Sequence, residues 1–318
     1  MAPQANNLPR PLRGIIPPMV TPLADRDTLD TAGLQRLIEH ILSGGVHGLF
    51  ILGTTGEGPS LSYRLRCQLI DRVCEQVAGR VPVLVGISDT AFIESVNLAE
   101  YAADAGAQAL VLTPPYYFPM GQVELQQYVA HIAAELPLPL MLYNIPSHTK
   151  VRFELDTVRG LMEIANVAGI KDSCADMIFF QHLCRLAAER SDWTVLMGPE
   201  ELLADAVLSG GHGGVCGGAN LCPQLYVDLY HAAQRRDMDQ VAQLRARVLW
   251  IAKNFYTIAR HGAAVTAALK CALRSLEICD DFMAEPFQRL TDPQRDAIQA
   301  YLAEADLRSY LPSARCRQ

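Results

Sequence analysis

A regular alternation of short apolar runs with amphipathic stretches constrains the fold of this chain more than any other feature. Eight apolar runs of strand length occur, at 14–23, 48–52, 81–87, 109–115, 139–145, 167–172, 194–198 and 213–220. Each is followed by a stretch of helical period, at 31–43, 62–78, 91–105, 121–135, 154–164, 176–190, 200–209 and 223–234. Near-continuous apolar strands that alternate with helices are typical of a parallel sheet covered on both faces. Eight such units in succession predict an α/β fold, a closed (β/α)8 TIM barrel.

The order of the segments argues against an open sheet and predicts how the chain is divided. A doubly wound sheet needs a glycine-rich turn after its first strand, and the stretch "VTPLADRD" (20–27) is not one. Beyond residue 235 only helical periods follow, at 238–260, 263–276 and 291–304. The predicted segments are a flexible N-terminal segment (1–13), the barrel (14–235) and a C-terminal helical extension packed on the barrel (236–318).

Composition and charge exclude several classes of protein. The hydrophobic fraction is 50% and the charged fraction 19%, which is typical of a globular protein with a large core. The net charge is −7, without a basic cluster, so we expect no nucleic-acid partner. No apolar window is long enough for a membrane span and the first residues have no apolar signal region, so we expect no membrane partner.

The cysteines and histidines bear on the compartment and on metal binding. The nine cysteines are odd in number and contain no C-x-x-C pair, which favours free thiols in a reducing compartment, the cytoplasm. The eight histidines contain no H-x-x-x-H pair, so no metal site is predicted. Cys174 lies close to Lys171 in sequence, and we interpret it as a packed core cysteine rather than a reactive thiol.

Polar residues end or directly follow several predicted strands. In a (β/α)8 barrel the active site is built at these C-terminal ends, whereas the opposite face serves stability. The residues that this rule brings to one rim are Thr54, Thr55, Glu57, Tyr116, Tyr117, Tyr143, Asn144, Lys171, Gly198, Glu200 and Glu201. An amine, phenols and a cluster of hydroxyls and amides are the groups that carbonyl chemistry requires, so we predict an active site at this rim.

Lys171 is the residue on which the chemical interpretation depends. It is one of four lysines in the chain and lies near the end of an apolar run, "VAGIKD" (167–172). A lysine in an apolar pocket has its charged form disfavoured, so more of it is the free amine that attacks carbonyls. Two structural alternatives stay open, because its methylenes can lie along apolar surface or its ammonium can pair with Asp172. Tyr143 is likewise either a core tyrosine or a phenol that moves protons.

Four short motifs on successive strand ends resemble those of a known family. They are "GTTGEG" (53–58), "TPPYY" (113–117), "YNIPSHT" (143–149) and "GIKDS" (169–173). In this order and spacing the chain is similar to the pyruvate-dependent lyases of the dihydrodipicolinate synthase / N-acetylneuraminate lyase family, from about Ile15 to beyond residue 290. The resemblance implies a barrel with a three-helix C-terminal extension, no metal or organic cofactor, and a homotetramer built as a dimer of dimers.

The resemblance also implies roles for individual residues. Lys171 corresponds to the lysine that forms a Schiff base with the keto carbon of pyruvate or another 2-oxo acid, and Tyr143 to the proton shuttle beside it. Thr54 is expected to relay protons between Tyr143 and Tyr116, the latter reaching into a neighbouring subunit's site. Thr55, with the backbone N–H groups of Thr54 and Thr55, is expected to hold the substrate carboxylate. The remaining candidate substrate-binding residues are Gly198, Val215 and His148.

Three departures from the synthase pattern shape the functional prediction. His148 stands where the synthases carry an arginine for a second carboxylate, Lys150 where a glycine is usual, and "TPPYYFPM" does not continue with asparagine. We therefore predict a Schiff-base-forming aldolase or dehydratase of a 2-oxo-3-deoxy or 4-hydroxy-2-oxo acid. The alternatives are 4-hydroxy-tetrahydrodipicolinate synthase and a non-catalytic protein that binds a 2-oxo acid. A phosphosugar aldolase is disfavoured because Glu200 and Glu201 would repel a phosphate.

Overall fold

The computed structural model describes residues 8–260 and 262–311, and its centre is a closed ring of parallel strands. The strands are β1 (Gly14–Ile15), β2 (Leu49–Ile51), β3 (Val83–Gly86), β4 (Ala109–Leu112), β5 (Leu140–Asn144), β6 (Val167–Asp172), β7 (Thr194–Met197) and β8 (Gly213–Gly214). Each strand from β2 onward pairs in parallel with the next, and β8 pairs with β1. Two backbone bonds close the ring between β1 and β2, from Phe50 N to Pro17 O at 3.0 Å and from Met19 N to Phe50 O at 2.8 Å. The predicted (β/α)8 barrel is confirmed.

Helices cover the outside of the ring and then continue beyond it. Those that follow the strands are α1 (Thr31–Ser43), α2 (Tyr63–Val77), α3 (Phe92–Asp104), α4 (Gln122–Glu135), α5 (Leu155–Met162), α6 (Met177–Ala187), α7 (Leu203–Leu208) and α8 (Pro223–Arg235). The extension contains α9 (Met238–Phe255), α10 (Ala264–Ser275), α11 (Asp292–Leu302) and a last turn, Ala305–Arg308. Several begin at a side-chain cap, as where Ser62 accepts from Leu65 N and Asp176 from Phe179 N.

The apolar core has two layers, one between the strands and the helices and one inside the ring. Successive side chains of a strand point to opposite faces, so alternate residues such as Met141, Tyr143 and Ile145 reach the interior. Leu12 also belongs to the interior cluster, and its N–H donates to Thr194 Oγ1 at 2.8 Å. Leu12 is therefore packed against the barrel, whereas residues 1–7 of the segment predicted to be flexible lie outside the described residues.

Several local elements differ from the sequence-based expectation. The runs 14–23 and 213–220 form barrel strands only at Gly14–Ile15 and Gly213–Gly214. A hairpin of Leu23–Asp25 and Thr28–Leu29 follows the first barrel strand, because Asp25 Oδ1 accepts from Asp27 N and forms a tight turn. The stretch around His148, which lies between the predicted strand at 139–145 and the predicted helix at 154–164, forms a short helix, Pro146–Thr149, with proline at its first position. Helix α9 ends at Phe255 rather than at residue 260.

A buried ion pair joins the C-terminal extension to the loop after β2. Lys270 of α10 is fully buried and its ammonium contacts the carboxylate of Glu57, whose side chain is 2% exposed. The same carboxylate accepts from Ala284 N at 2.8 Å, and Lys270 Nζ also donates to Phe282 O at 2.7 Å. These bonds hold the extension over the "GTTGEG" loop, so the extension supports one side of the barrel mouth.

The helices and side chains of the described residues bear on membranes and metals. No helix there combines the length and the apolar character needed to cross a membrane. Within the same residues, no group of three or more histidine, cysteine, aspartate or glutamate side chains is placed to hold a metal ion.

Candidate active site

Lys171 and Tyr143 lie side by side at the mouth of the barrel. They are register partners on β6 and β5. Both are buried, with exposed fractions of 6% and 4%. The ammonium nitrogen of Lys171 lies 3.8 Å from the centroid of the Tyr143 ring and 5.4 Å from that of Phe50. The amine therefore ends in an aromatic pocket beside a phenol.

An irregularity in β6 is what turns Lys171 into the barrel. Leu140 pairs with Val167 but the next residue, Met141, pairs with Gly169, so β6 contains one extra residue, a β-bulge. Strict alternation from Ala168, which faces the interior, would turn Lys171 outward. With the extra residue, Ile170 packs in the outer layer and Lys171 points inward. Gly169 is required at the bulge because a Cβ there would lie 2.3 Å from Thr194 O.

Thr54 connects the phenol to the loop after β2. Its Oγ1 lies 3.3 Å from the Tyr143 hydroxyl, so either group can donate. Within residues 8–260 and 262–311, no group accepts a hydrogen bond from the backbone N–H of Thr54 or Thr55. Two free N–H groups beside two hydroxyls form a site suited to a carboxylate.

Tyr116 lies apart from this cluster within a single chain. Its side chain is 37% exposed, and it makes no hydrogen bond to Thr54 or to any other residue that the structure describes. Desolvation raises its pKa, and so does the nearby charge of Asp89. The next two side chains, Tyr117 and Phe118, are 74% and 75% exposed. This strand end therefore presents an aromatic surface to the outside.

His148 lies on the short helix Pro146–Thr149 that follows Tyr143, and Lys150 is the residue directly after that helix. The imidazole Nδ1 of His148 is 3.0 Å from Ser147 Oγ. Its pKa is lowered by desolvation, and further by the charges of Lys150 and Lys171. Lys150 adopts the left-handed backbone conformation, with φ 63°.

Gly198 and Val215 occupy the other side of the mouth. Gly198 N donates to Asp172 O at 2.7 Å, and a Cβ at position 198 would lie 1.9 Å from Ser173 Oγ. Glycine is thus required for the strand ends to approach. Val215 is 4% exposed and belongs to the interior cluster that also contains Tyr143.

Two sequence-based alternatives for the lysine and its neighbours are resolved by the contacts. Lys171 makes no ion pair in the described part of the chain, and Asp172 instead accepts from Asn144 Nδ2 at 2.8 Å. Burial raises the pKa of the Cys174 thiol to about 12, which keeps it protonated and unreactive at neutral pH.

A buried carboxyl network beside the mouth was not found from the sequence. Glu200 Oε1 accepts from the hydroxyls of Tyr226 and Tyr256, the latter at 2.7 Å, and Oε2 accepts from Gly218 N at 2.7 Å. Burial raises the pKa of Glu200 to about 7, against the effect of these donors. Its partners come from α8 and from the residue after α9, so no local pattern in the sequence connects them.

The fold and the site together define the class of protein. Barrels of this kind carry their chemistry at the C-terminal strand ends, and here those ends hold a buried amine against a phenol, which is suited to carbonyl chemistry. The class is that of the lyases. The family model of the dihydrodipicolinate synthetase family matches residues 11–305, and the chain belongs to that family.

Relatives and solved structures agree with this assignment. A 4-hydroxy-tetrahydrodipicolinate synthase of Bradyrhizobium diazoefficiens is 30% identical over 295 residues, covering 93% of this chain and 97% of the relative. The structure of dihydrodipicolinate synthase from Bacteroides thetaiotaomicron is 52% identical, with a TM-score of 0.90 and coverage of 92% and 98%. YagE of E. coli K12, a prophage protein of the dihydrodipicolinic acid synthase family solved in complex with pyruvate, is 28% identical, with a TM-score of 0.86 and coverage of 91% and 97%.

These comparisons confirm the family and the predicted function at the level of a Schiff-base-forming lyase of this family. The roles of individual residues, the second substrate, the oligomeric state and the compartment stay predictions.

Proposed function

We propose that this protein is an aldolase or dehydratase that forms a Schiff base between Lys171 and the keto carbon of pyruvate or a related 2-oxo acid. The observation that supports this most directly is the position of Lys171 Nζ, 3.8 Å from the ring centroid of Tyr143 in a buried pocket. The pyruvate bound to the relative YagE supports a 2-oxo acid as the substrate.

The proposed reaction begins with addition of the amine to C2 and loss of water, which leaves an iminium ion. The iminium withdraws electrons from C3, so either a C3 proton or the C3–C4 bond is released as the enamine forms. Tyr143 is the proton shuttle for these steps, because its hydroxyl lies at the pocket and is linked to Thr54 at 3.3 Å. After C–C cleavage, protonation of the enamine at C3 restores the imine, whereas in a dehydratase the enamine expels the C4 hydroxyl as water. Hydrolysis of the imine then returns the lysine and releases the product.

The carboxylate of the 2-oxo acid is held by the loop after β2. The free backbone N–H groups of Thr54 and Thr55 and the Thr55 hydroxyl support this assignment, since they offer donors without a permanent charge. Gly198 and Val215 line the side of the pocket across from Tyr143. The substrate is therefore oriented with C1 toward β2 and C2 toward β6.

The far end of the substrate is assigned to His148. Its pKa is lowered, so at neutral pH it is mostly uncharged and cannot provide the permanent, bidentate charge of an arginine. This favours a hydroxylated 2-oxo acid over aspartate semialdehyde, whose carboxylate would be the second in the site besides that of pyruvate. The second candidate is 4-hydroxy-tetrahydrodipicolinate synthase, and the name of the Bradyrhizobium relative favours it.

We place Tyr116 in a subunit interface of a cytoplasmic homotetramer, a dimer of dimers. The exposed rings of Tyr117 and Phe118 support an interface at this strand end, because contiguous exposed aromatics mark contact surfaces. Sedimentation analysis of the wild type and of Phe118→Ser tests this: we expect the variant to form smaller species. A monomeric wild type would contradict the assembly.

The covalent step is tested by trapping. The protein is treated with borohydride in the presence and absence of pyruvate, and the intact mass and the modified peptide are determined by mass spectrometry. We expect one reduced pyruvyl adduct, on Lys171, in the wild type and in the matched control Lys150→Met, and none in Lys171→Met. An adduct in Lys171→Met would refute the assignment, and binding of pyruvate without any adduct would support the non-catalytic alternative.

A further inference from the structure

Directly behind the Tyr143–Lys171 pair, β5 and β6 each contribute one more polar residue. Asn144 and Asp172 are register partners, one position beyond Tyr143 and Lys171. Because side chains alternate along a strand, they point away from the barrel interior, toward the helical layer. Both are completely buried.

The side chain of Asn144 is fixed from both ends. Its Nδ2 donates to Asp172 Oδ1 at 2.8 Å, and its Oδ1 accepts from Phe153 N at 3.1 Å. Since a carboxylate oxygen only accepts and a backbone N–H only donates, these partners determine which end of the amide is which. The strand ends are also joined by Ser173 N, which donates to Asn144 O at 2.8 Å.

The amide–carboxylate bond is not explained by stability. Burial raises the pKa of Asp172, which means that its charged form is disfavoured where it lies. Buried ion pairs can often be replaced by apolar residues of similar volume without loss of stability, so burial of polar side chains is not in itself stabilising. A polar pair has a directional preference that an apolar pair lacks, so its contribution lies in the geometry that it imposes.

We propose that Asn144 and Asp172 are positioning residues, a clip that holds the ends of β5 and β6 so that the Tyr143 hydroxyl and the Lys171 amine keep the geometry needed for proton transfer at C3. The inference rests on the proposed function of Lys171 and Tyr143. A displacement of about 1 Å at a reacting group lowers a rate by about a hundredfold, so loosening the clip is expected to slow proton transfer far more than it weakens binding.

A charge swap tests the clip. The measured step is exchange of the pyruvate methyl protons in D2O, followed by proton NMR, which requires the enamine but no second substrate. Asn144→Asp places two carboxylates in contact, and we expect the exchange rate at saturating pyruvate to fall at least about tenfold, with KM changed less than about threefold. The swapped pair, Asn144→Asp with Asp172→Asn, restores one donor and one acceptor as well as the bond to Phe153 N, and we expect most of the rate to return.

Further variants distinguish an effect on the geometry of the reacting groups from an effect on the stability of the fold. The apolar pair Asn144→Leu with Asp172→Leu leaves Phe153 N without its acceptor, so we expect a lower thermal unfolding midpoint. We expect it to stay folded and to form the borohydride adduct, yet to exchange at least about tenfold more slowly. Asn166→Leu is the matched control, because Asn166 Nδ2 donates to Ala133 O and Leu136 O at the opposite end of β6. It is expected to lower the unfolding midpoint without slowing exchange.

Failure of the clip and failure of the proposed function give different results. A wild-type exchange rate in the apolar pair, or in a folded Asn144→Asp variant, would overturn the clip. So would a folded swapped pair that stays as slow as Asn144→Asp. If the wild type itself forms no adduct and exchanges no protons, the proposed function is refuted, and the clip with it.

Discussion

The buried carboxyl of Glu200 leads to a prediction about stability and pH. Its side chain accepts three hydrogen bonds, and its pKa is raised from 4.5 to about 7, chiefly by burial. Glu200→Gln removes the ionisation while the amide oxygen still accepts from the tyrosine hydroxyls. The perturbation therefore isolates the cost of placing a charge in this pocket, apart from the loss of the bond to Gly218 N.

The expected change in the free energy of unfolding follows from the rise in the pKa of Glu200. At about 1.4 kcal/mol for each pH unit, a rise from 4.5 to about 7 corresponds to about 3 kcal/mol. Because the folded-state pKa lies above the unfolded one, the stabilising contribution is fully present below about pH 4.5 and is lost as the pH rises through about 7. The free energy of unfolding of the wild type relative to Glu200→Gln is thus expected to fall by about 3 kcal/mol between pH 4.5 and pH 8.

Urea denaturation of both proteins across this pH range measures the difference, in which the titration of all other groups largely cancels. Tyr256→Phe removes one donor to the carboxylate, so the pKa of Glu200 rises further and the loss extends to higher pH. Glu75→Gln is the control for loss of a carboxylate, because that side chain is 76% exposed on α2 and lies outside the buried network. A pH-independent difference between the wild type and Glu200→Gln would refute the reasoning.

Three further predictions concern the mouth and its support. Tyr143→Phe removes the shuttle hydroxyl but keeps the ring. The rate of pyruvate proton exchange should fall by about 10²- to 10⁴-fold, while the borohydride adduct still forms. An unchanged exchange rate would contradict the shuttle role. His148→Arg adds a permanent charge and should raise kcat/KM for aspartate semialdehyde relative to hydroxylated 2-oxo acids; an unaltered ratio in steady-state assays contradicts the specificity argument. Lys270→Met leaves the buried Glu57 carboxylate without its cation. In urea denaturation it should lower the free energy of unfolding by about 3–5 kcal/mol, whereas the exposed Lys253→Met should lower it little. Equal effects of the two substitutions would show that the buried pair is not stabilising.

The barrel was predictable from the sequence because its signal is repeated and local. Each strand is a short apolar run and each helix an amphipathic one, and burial on both faces of a parallel sheet produces that contrast in every unit. The shorter elements were not predictable in the same way. The hairpin at 23–29 has a bond from Asp27 N to Asp25 Oδ1 in its turn, and the end of α9 at Phe255 lies where the Tyr256 hydroxyl donates to Glu200.

Some residues of the candidate site were likewise predictable from the sequence, and others were not. Tyr143 and Lys171 lie near the ends of their strands and Thr54 follows one, so the rule for barrels was enough to bring them to one rim, and the structure places them together. Tyr116 follows a strand end as well, yet within one chain it makes no hydrogen bond with the described residues of that cluster. Sequence position alone does not distinguish a residue that faces its own pocket from one that faces outward.

The sequence by itself determined the order of the strands and helices and which strand ends carry an amine, a phenol and hydroxyls. Only the tertiary structure decided that Lys171 points inward, that Asp172 pairs with Asn144, and that Glu200 is buried. The direction of Lys171 depends on the bulge in β6, and a bulge is a property of how two strands pair. The environments of Asp172 and Glu200 depend on partners distant in the chain, because burial and hydrogen bonding are set by which surfaces meet and not by the residues on either side.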